Sequence, residues 1–208
     1  MSGNGARHVV VFVKVPRLGQ VKSRLAAGIG VLPALRFYRE TMARVLGAVG
    51  RDTRWRTLVA ITPLRALLHG QFWDQDLSRL DQGTGDLGRR MARAFRALPP
   101  GPAVIIGSDV PELAPRHVAA AFRALGGHDA VLGPAADGGY WLVGLKRTRP
   151  VPAGLFEGVR WSSPHALADT RAGLPRHFSV ALLETLEDID DIETYRRWRA
   201  RRDRLRTR

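Results

Sequence analysis

The sequence contains no cysteine among its 208 residues, and only three of its 33 basic residues are lysines. Without cysteine the chain has no disulfide bonds, zinc–thiolate sites or thiol nucleophiles, which fits a reducing compartment. No apolar run approaches the roughly 18 residues of a membrane span. The polar N-terminus, residues 1–8, lacks the apolar stretch of a secretory signal. We therefore expect a cytoplasmic protein without a membrane span.

Positive charge is what the chain has in excess, with a net charge of +14. Half of it lies in residues 196–208, which hold eight arginines and one aspartate. Such a tail can bind nucleic acid, but the chain has no RNP, zinc-finger or helix-turn-helix signature and its tryptophans are scattered. Just upstream, Asp191 and Glu193 are spaced to form ion pairs with Arg196 and Arg197 on a helix. We interpret the tail as a solvated basic terminal helix and expect no nucleic-acid partner, with nucleic-acid binding as the alternative from another class.

Apolar runs alternate with amphipathic stretches along the whole chain. Strands are predicted at residues 8–13, 57–62, 103–106, 129–133 and 140–145, and near 177–182. Helices are predicted at residues 32–49, 86–98 and 115–125, near 163–171, and at the C-terminus. This order predicts a single domain over residues 1–208, a three-layer, Rossmann-like α/β fold with a mainly parallel mixed sheet. In such folds ligands bind beyond the carboxyl ends of the strands.

The segment after the first strand, residues 14–25, gathers basic residues at a position where α/β proteins hold phosphates. It contains Lys14, Lys22 and Arg24, and thus two of the three lysines in the chain. Phosphates bind there to backbone N–H groups and to cations near a helix N-terminus. Because arginine is used almost everywhere else, these lysines suggest a need for a compact point charge. The alternative is an ordinary basic loop.

Several known motifs are absent. A P-loop needs glycines one and six residues before its Lys-Ser pair, and this chain has Val21 and Pro16 there. Gly28 and Gly30 do not begin a dinucleotide fingerprint, because residue 33 is proline. There is no G-x-S-x-G elbow, and the six histidines show no metal-ligand spacing. These absences exclude the commonest nucleotide and hydrolase signatures.

An aspartate, Asp109, directly follows the apolar strand at residues 103–106. A carboxylate at the C-terminal edge of the sheet can hold Mg²⁺ or Mn²⁺ against a substrate diphosphate. The alternative is that Asp109 caps the following helix, but Pro115 indicates that this helix begins later. We therefore predict that Asp109 is a catalytic residue and a metal ligand.

Three further positions have both a functional and a structural interpretation. The segment 137–140, Asp-Gly-Gly-Tyr, separates two predicted strands, and its glycines suit either a tight hairpin or a ligand-facing loop. Asp137 would bind substrate hydroxyls or act as a general base, or it is simply a turn residue. Asp86 opens a helix and suits an N-cap. Trp161 either shapes a substrate pocket or packs in the core.

Six blocks occur in a fixed order and are spread over most of residues 8–195. They are K-x-P-x-x-G-x-V-K-[ST]-R-L at 14–25, G-D-L-G-R-R-M at 85–91 after Gln82, G-S-D-V-P-E-L at 107–113, G-P-A-A-D-G-G-Y-W-L-V-G at 133–144, W-S-S at 161–163 and D-I-D at 188–190. This set resembles a bacterial family of GT-A-type glycosyltransferases of the nucleotide-diphospho-sugar transferase superfamily. That family also resembles the guanylyltransferases of molybdopterin and phospholactate metabolism.

The resemblance implies a metal-dependent glycosyltransferase with a GT-A fold, which uses a nucleotide-activated sugar, an acceptor that the sequence does not identify, and Mg²⁺ or Mn²⁺. Because the D-x-D motif is reduced here to Asp109, a late loop is expected to supply a second metal ligand, Asp188 or Asp190. The nucleotide and its phosphates are assigned to Lys14, Gly19, Lys22, Arg24 and Asp86. The substrate or acceptor is assigned to Gly138, Gly139, Tyr140 and Trp161. The alternative is a nucleotidyltransferase, of guanylyl or cytidylyl type, that releases pyrophosphate.

Overall fold

A computed structural model describes residues 5–63 and 77–206. The strands are β1 (His8–Lys14), β2 (Arg56–Thr62), β3 (Ser78–Asp81), β4 (Ala103–Gly107), β5 (Ala130–Pro134), β6 (Tyr140–Leu145) and β7 (Val180–Leu182). The helices are α1 (Ser23–Ile29), α2 (Val31–Gly50), α3 (Leu87–Ala97), α4 (Pro115–Gly127), α5 (Ala166–Ala172) and α6 (Ile192–Arg206). The last two residues of the predicted tail, 207–208, lie outside the described residues.

The strands form one seven-stranded sheet in the order β3-β2-β1-β4-β6-β5-β7. Strand β6 runs antiparallel to both of its neighbours, and the other neighbouring pairs are parallel. The predicted α/β fold with a mainly parallel mixed sheet is therefore confirmed.

Helices cover both faces of this sheet, so its central strands are apolar at nearly every position. In β1, Val9, Val11 and Val13 point into the core beneath α2 and α4. Val10 points into the opposite core, which contains α3 and α5. Each of these four valines is fully buried. The fold thus has the three layers that the sequence predicts.

Two elements were not predicted. Strand β3 pairs with β2 at the edge of the sheet, and its sequence, Ser-Arg-Leu-Asp, lacks the apolar run by which buried strands are recognised. Helix α1 has only seven residues and begins inside the basic segment that follows β1. Both elements are short, and neighbouring parts of the chain rather than their own periodicity hold them in place.

The terminal helix α6 packs on α2 through aromatic rings. The ring of Phe37 meets Tyr195 and Trp198 edge-on, at centroid distances of 5.4 and 5.3 Å. None of the helices in the described ranges is long and apolar enough to cross a membrane.

The arginines of α6 form ion pairs other than those that the spacing suggests. Arg197 and Arg201 bind Glu187, which precedes the helix, at 2.7 and 2.5 Å. Asp191 instead caps the helix, because its carboxylate accepts a hydrogen bond of 2.8 Å from the backbone N–H of Thr194. The predicted basic terminal helix is present, and Glu187, which lies outside it, neutralises part of its positive charge.

Candidate active site

The strand order creates a cleft at the carboxyl end of the sheet. From β1 the chain moves outward through β2 to β3, then returns to β4 on the other side of β1. The loops that follow β1 and β4 therefore diverge, which is where open α/β sheets bind ligands. A cleft of about 390 Å³ lies at this point.

Basic residues from several elements line this cleft. Lys14 is the last residue of β1, Lys22 and Arg24 lie at the start of α1, and Arg90 comes from α3. Gly19 is not among the lining residues and has a φ of 70°, which a turn in this segment requires. Asp86 also lies outside the lining and caps α3, accepting a 2.8 Å bond from the N–H of Arg89. The structure thus brings the predicted cations together and leaves Gly19 and Asp86 in supporting positions.

The ammonium group of Lys22 pairs with carboxylates and is hardly exposed to solvent. Its ammonium lies 2.9 Å from Asp109 and 2.5 Å from Asp190, and its side chain is only 5% exposed. Arg24 also binds Asp190. Burial by itself lowers the pKa of Lys22, but Asp109 and Asp190 outweigh this effect and raise the pKa above its usual value. Lys22 is therefore a buried, charged residue shared by two of the predicted acidic site residues.

The predicted acidic residues meet around the same point. Burial, together with the negative charges of Asp190, Asp137 and Asp109, raises the pKa of Asp188 to about 7. Among the described residues, no hydrogen bond or ion pair involves the side chain of Asp188. Four carboxylates from three parts of the chain therefore share one region. Asp109 and Asp190 pair there with Lys22, whereas Asp137 and Asp188 form no ion pair with any described residue.

A second pocket, of about 150 Å³, lies on the other side of Asp109. Its lining includes Asp137, Tyr140, Trp161 and Asp188, all of which were predicted site residues. The rings of Tyr140 and Trp161 meet at 70° with their centroids 6.3 Å apart. Burial raises the pKa of Tyr140, so its hydroxyl stays protonated. The pocket therefore combines aromatic walls with carboxylates.

The segment 135–139 is both a hairpin turn and a wall of this pocket. It joins the antiparallel strands β5 and β6, and the carboxylate of Asp137 accepts a 2.8 Å bond from the N–H of Gly139. Gly139 lines the pocket, whereas Gly138 lies behind it with a φ of 87°. A Cβ on Gly138 would lie 2.3 Å from the backbone oxygen of Pro164. The segment is therefore a tight hairpin turn, and part of it lines the pocket.

Gln82 supports the cleft and was not predicted as a site residue. It is buried, and its amide donates hydrogen bonds to the carbonyls of Val13, at 3.1 Å, and Ala60, at 2.8 Å. Its side-chain oxygen accepts a 2.8 Å bond from Arg90. Gln82 thus ties β1 and β2 to a cation of the cleft. The only indication of this role in the sequence was that Gln82 precedes the family-like block at residues 85–91.

Tyr38 was also not predicted as a site residue, although it lies in the helix predicted at residues 32–49. Its hydroxyl donates a bond of 2.8 Å to the carbonyl of Lys14 and accepts one of 3.1 Å from the N–H of the same residue. It thereby fixes the backbone at the end of β1, where the basic segment begins. Helical periodicity does not reveal such a contact, because the same spacing serves simple packing.

Replacing Gln82 with leucine is expected to lower the free energy of unfolding by about 2 kcal/mol. The substitution keeps the volume but removes the hydrogen bonds that the Gln82 side chain makes to two carbonyls and to Arg90. Urea denaturation measures the effect. The matched control is Gln20→Leu at an exposed position, which should change stability by no more than ~0.5 kcal/mol. Equal stability of both variants would contradict the supporting role of Gln82.

The donor atoms of the site suit a hard divalent cation. Carboxylate oxygens are the ligands that Mg²⁺ prefers, usually one or two of them together with substrate phosphate oxygens. Within residues 5–63 and 77–206, no three acidic or histidine side chains are arranged to hold a metal by themselves. The residues therefore fit a metal site that a phosphate substrate completes, with Asp109 next to the cationic cleft.

Solved structures share this fold. The chain is similar to a "putative nucleotide-diphospho-sugar transferase" from Desulfovibrio desulfuricans G20, with 26% identity, a TM-score of 0.75, and coverage of 89% of this chain and 82% of that one. It resembles Rv0371c of Mycobacterium tuberculosis H37Rv, solved with manganese, at 15% identity and a TM-score of 0.56 over 93% and 97% of the two chains. It also resembles 4-diphosphocytidyl-2C-methyl-D-erythritol synthase of Anaerococcus prevotii DSM 20548, at 11% identity and a TM-score of 0.57 over 91% and 94%. The fold is thus that of the nucleotide-diphospho-sugar transferase type.

The chain belongs to the DUF2064 family, which is described as "Uncharacterized protein conserved in bacteria". Residues 45–163, more than half of the chain, match this family. The match includes Asp109, the hairpin at 135–139 and Trp161, but neither the basic segment after β1 nor the late aspartates. No curated protein sequence matches the chain.

Proposed function

We propose that this protein is a metal-dependent glycosyltransferase that uses a nucleotide-diphosphate sugar. The observation that carries the proposal is the position of Asp109, which lines both the cationic cleft and the aromatic pocket. The cleft suits a diphosphate, and the pocket suits a sugar or acceptor that packs on aromatic rings. The bond between sugar and phosphate would then lie beside Asp109. The name of the Desulfovibrio desulfuricans relative supports this proposal.

Asp109 and Asp188 are the proposed metal ligands. Asp188 has a raised pKa because burial disfavours its charge and neighbouring carboxylates repel it, and a cation would relieve that repulsion. Asp190, in contrast, already pairs with Lys22 and Arg24. Bound Mg²⁺ or Mn²⁺ would neutralise charge on the phosphates of the leaving nucleotide. The manganese in the structure of Rv0371c supports the choice of ion.

The basic side chains of the cleft would hold the diphosphate in place. Lys14 and Arg24 lie on the segment after β1, and Arg90 faces them from α3, where Gln82 fixes its guanidinium. Cations near the phosphates stabilise the negative charge that develops on a leaving group, and a cation that is already held in place, as Arg90 is, does so without having to reorganise. Their proposed role is therefore to bind the nucleotide phosphates and stabilise the product diphosphate.

Asp137 is the proposed base for the acceptor. One of its oxygens accepts a hydrogen bond from Gly139, which fixes the carboxylate at the wall of the aromatic pocket. The other oxygen would orient an acceptor hydroxyl and take its proton as the new bond forms. Tyr140 and Trp161 would shape the surface on which the sugar or acceptor packs.

Nucleotidyl transfer is the second candidate. The four basic residues that line the cleft suit a triphosphate as well as a diphosphate. The Anaerococcus prevotii relative is named as a diphosphocytidyl-compound synthase, which supports this candidate only through the fold. Under this alternative the same aspartates would hold the ion, and pyrophosphate would leave instead of a nucleoside diphosphate.

Calorimetry and product analysis separate the two candidates. We expect one or more nucleotide-diphosphate sugars of a panel to bind in the presence of Mn²⁺, and turnover to release a nucleoside diphosphate. Pyrophosphate released from a nucleoside triphosphate would instead favour the second candidate. Metal-independent binding of every compound in the panel would contradict the proposed role of the carboxylates.

A further inference from the structure

Lys22 occupies the point at which two carboxylates converge. Its ammonium lies within 2.9 Å of Asp109 and 2.5 Å of Asp190, and with its 5% exposure it is nearly closed off from solvent. A divalent ion shared by these carboxylates would need their oxygens at about 2.1 Å, in the space that the ammonium fills. Lys22 and such an ion therefore exclude each other.

The backbone holds Lys22 in this place. Its φ of 50° is in the left-handed region, which is uncommon for a residue other than glycine, and it is the residue from which α1 starts. Val21 and Leu25, on either side along the chain, are buried and anchor the turn. Lys22 is therefore directed at the carboxylates by the fold, and its ammonium is not a freely moving surface charge.

Charge compensation around Lys22 leaves little attraction for a free metal ion. The positive charges of Lys22 and Arg24 balance the negative charges of Asp109 and Asp190. What remains for an ion is Asp137, Asp188 and the part of Asp109 that Lys22 does not engage, and these residues are not arranged to hold a metal by themselves. That set is too small to replace the water shell of Mg²⁺ or Mn²⁺ unless phosphate oxygens are added.

We propose that Lys22 is a built-in cation that fills the site between Asp109 and Asp190, so that the protein takes up a divalent ion only together with nucleotide phosphates. This inference rests on the proposed function in one respect, because it treats Asp109 as a metal ligand. It gives Lys22 a positioning role in place of the phosphate contact that the sequence predicts. It also restricts the site to one divalent ion, beside Asp188.

Titration with Mn²⁺ in the absence of nucleotide tests the inference. Wild-type protein is expected to bind Mn²⁺ weakly, and Lys22→Met at least about tenfold more tightly, the scale on which neighbours of a metal ligand alter affinity. The matched control is Lys146→Met, at the residue that follows β6. It removes the same charge from a side chain that donates a hydrogen bond to the carbonyl of Gly126 in α4. It should bind Mn²⁺ as the wild type does. Equal Mn²⁺ affinity of Lys22→Met and the wild type would overturn the inference.

Removing Lys22 from a buried ion pair destabilises the protein, since Asp109 and Asp190 are left to repel each other. We therefore expect Mn²⁺ to raise the melting temperature of Lys22→Met and to leave that of Lys146→Met unchanged. If Lys22→Met unfolds without metal, Mn²⁺ should restore its circular dichroism spectrum. Failure of Mn²⁺ to do so would contradict the inference.

A measurement on the wild type avoids the variant altogether. Because the chain has only three lysines, labelled lysine gives three NMR signals. One of them comes from Lys22, whose side chain is buried. Mg²⁺ alone should leave the Lys22 signal in place, and Mg²⁺ with a nucleoside diphosphate should shift it. A shift with Mg²⁺ alone would overturn the inference but leave the proposed function intact. No response to any combination of metal and nucleotide would instead contradict the proposed function.

Discussion

Replacing Asp109 with asparagine is expected to lower turnover by about 10²–10³-fold, the loss seen when one group that stabilises transition-state charge is removed. Asp109 follows β4 and lines both the cleft and the aromatic pocket, so it is the carboxylate closest to the proposed reacting bond. An amide keeps the shape but loses the charge that binds Mg²⁺ or Mn²⁺. Steady-state kinetics with the donor found by calorimetry measures the loss.

Asp52→Asn is the matched control for this experiment. Asp52 lies just before β2, at the opposite edge of the sheet, where it pairs with Arg54. The control should keep wild-type turnover within about twofold, since a surface ion pair contributes little. Asp109→Asn also removes a partner of Lys22, so both variants should first be shown to fold by circular dichroism. A folded Asp109→Asn protein with wild-type turnover would contradict the role of this carboxylate.

Replacing Gly138 with alanine is expected to lower the free energy of unfolding by about 3 kcal/mol and to abolish activity. The φ of 87° is unfavourable for any residue with a Cβ, and that atom would lie 2.3 Å from the carbonyl oxygen of Pro164. Backbone cannot give way as a flexible side chain does, so the hairpin that carries Asp137 would have to move. Thermal or urea denaturation and kinetics together measure both effects.

Gly126→Ala is the control for the glycine substitution. Gly126 lies in α4, where an added Cβ has no neighbour within 4 Å. Alanine should stabilise this helix by roughly 0.5–1 kcal/mol and leave activity unchanged. Similar stability of Gly138→Ala and the wild type would show that the hairpin is less constrained than its geometry indicates.

The layers of the fold were predictable because buried strands carry a local signal. Residues 8–13 and 103–106 are apolar at nearly every position, and both form central strands of the sheet. The edge strand β3 carries no such signal, since Ser78–Asp81 contains a single apolar residue. The short helix α1 was not predicted for a similar reason, because seven residues are too few to show a helical period of apolar residues.

The site was predictable in part, because residues that follow parallel strands meet at one edge of the sheet. The positions of Lys14 and Asp109 follow from this rule. The pairing of Lys22 with Asp190 does not, since the two residues are 168 positions apart and nothing local to either one points to the other. The role of Gln82 was not predictable either, because its side chain donates hydrogen bonds to backbone carbonyls of β1 and β2, which are distant in the sequence.

The most direct test of the account is to locate Mn²⁺ by anomalous scattering in crystals grown with a nucleoside diphosphate. We predict one Mn²⁺ bound to Asp109 and Asp188, with the diphosphate between it and the basic residues Lys14, Arg24 and Arg90. Crystals with Mn²⁺ but no nucleotide should show no strong peak there, because Lys22 already fills the site beside Asp190. A diphosphate bound in the cleft with no Mn²⁺ on Asp109 would contradict the central claim.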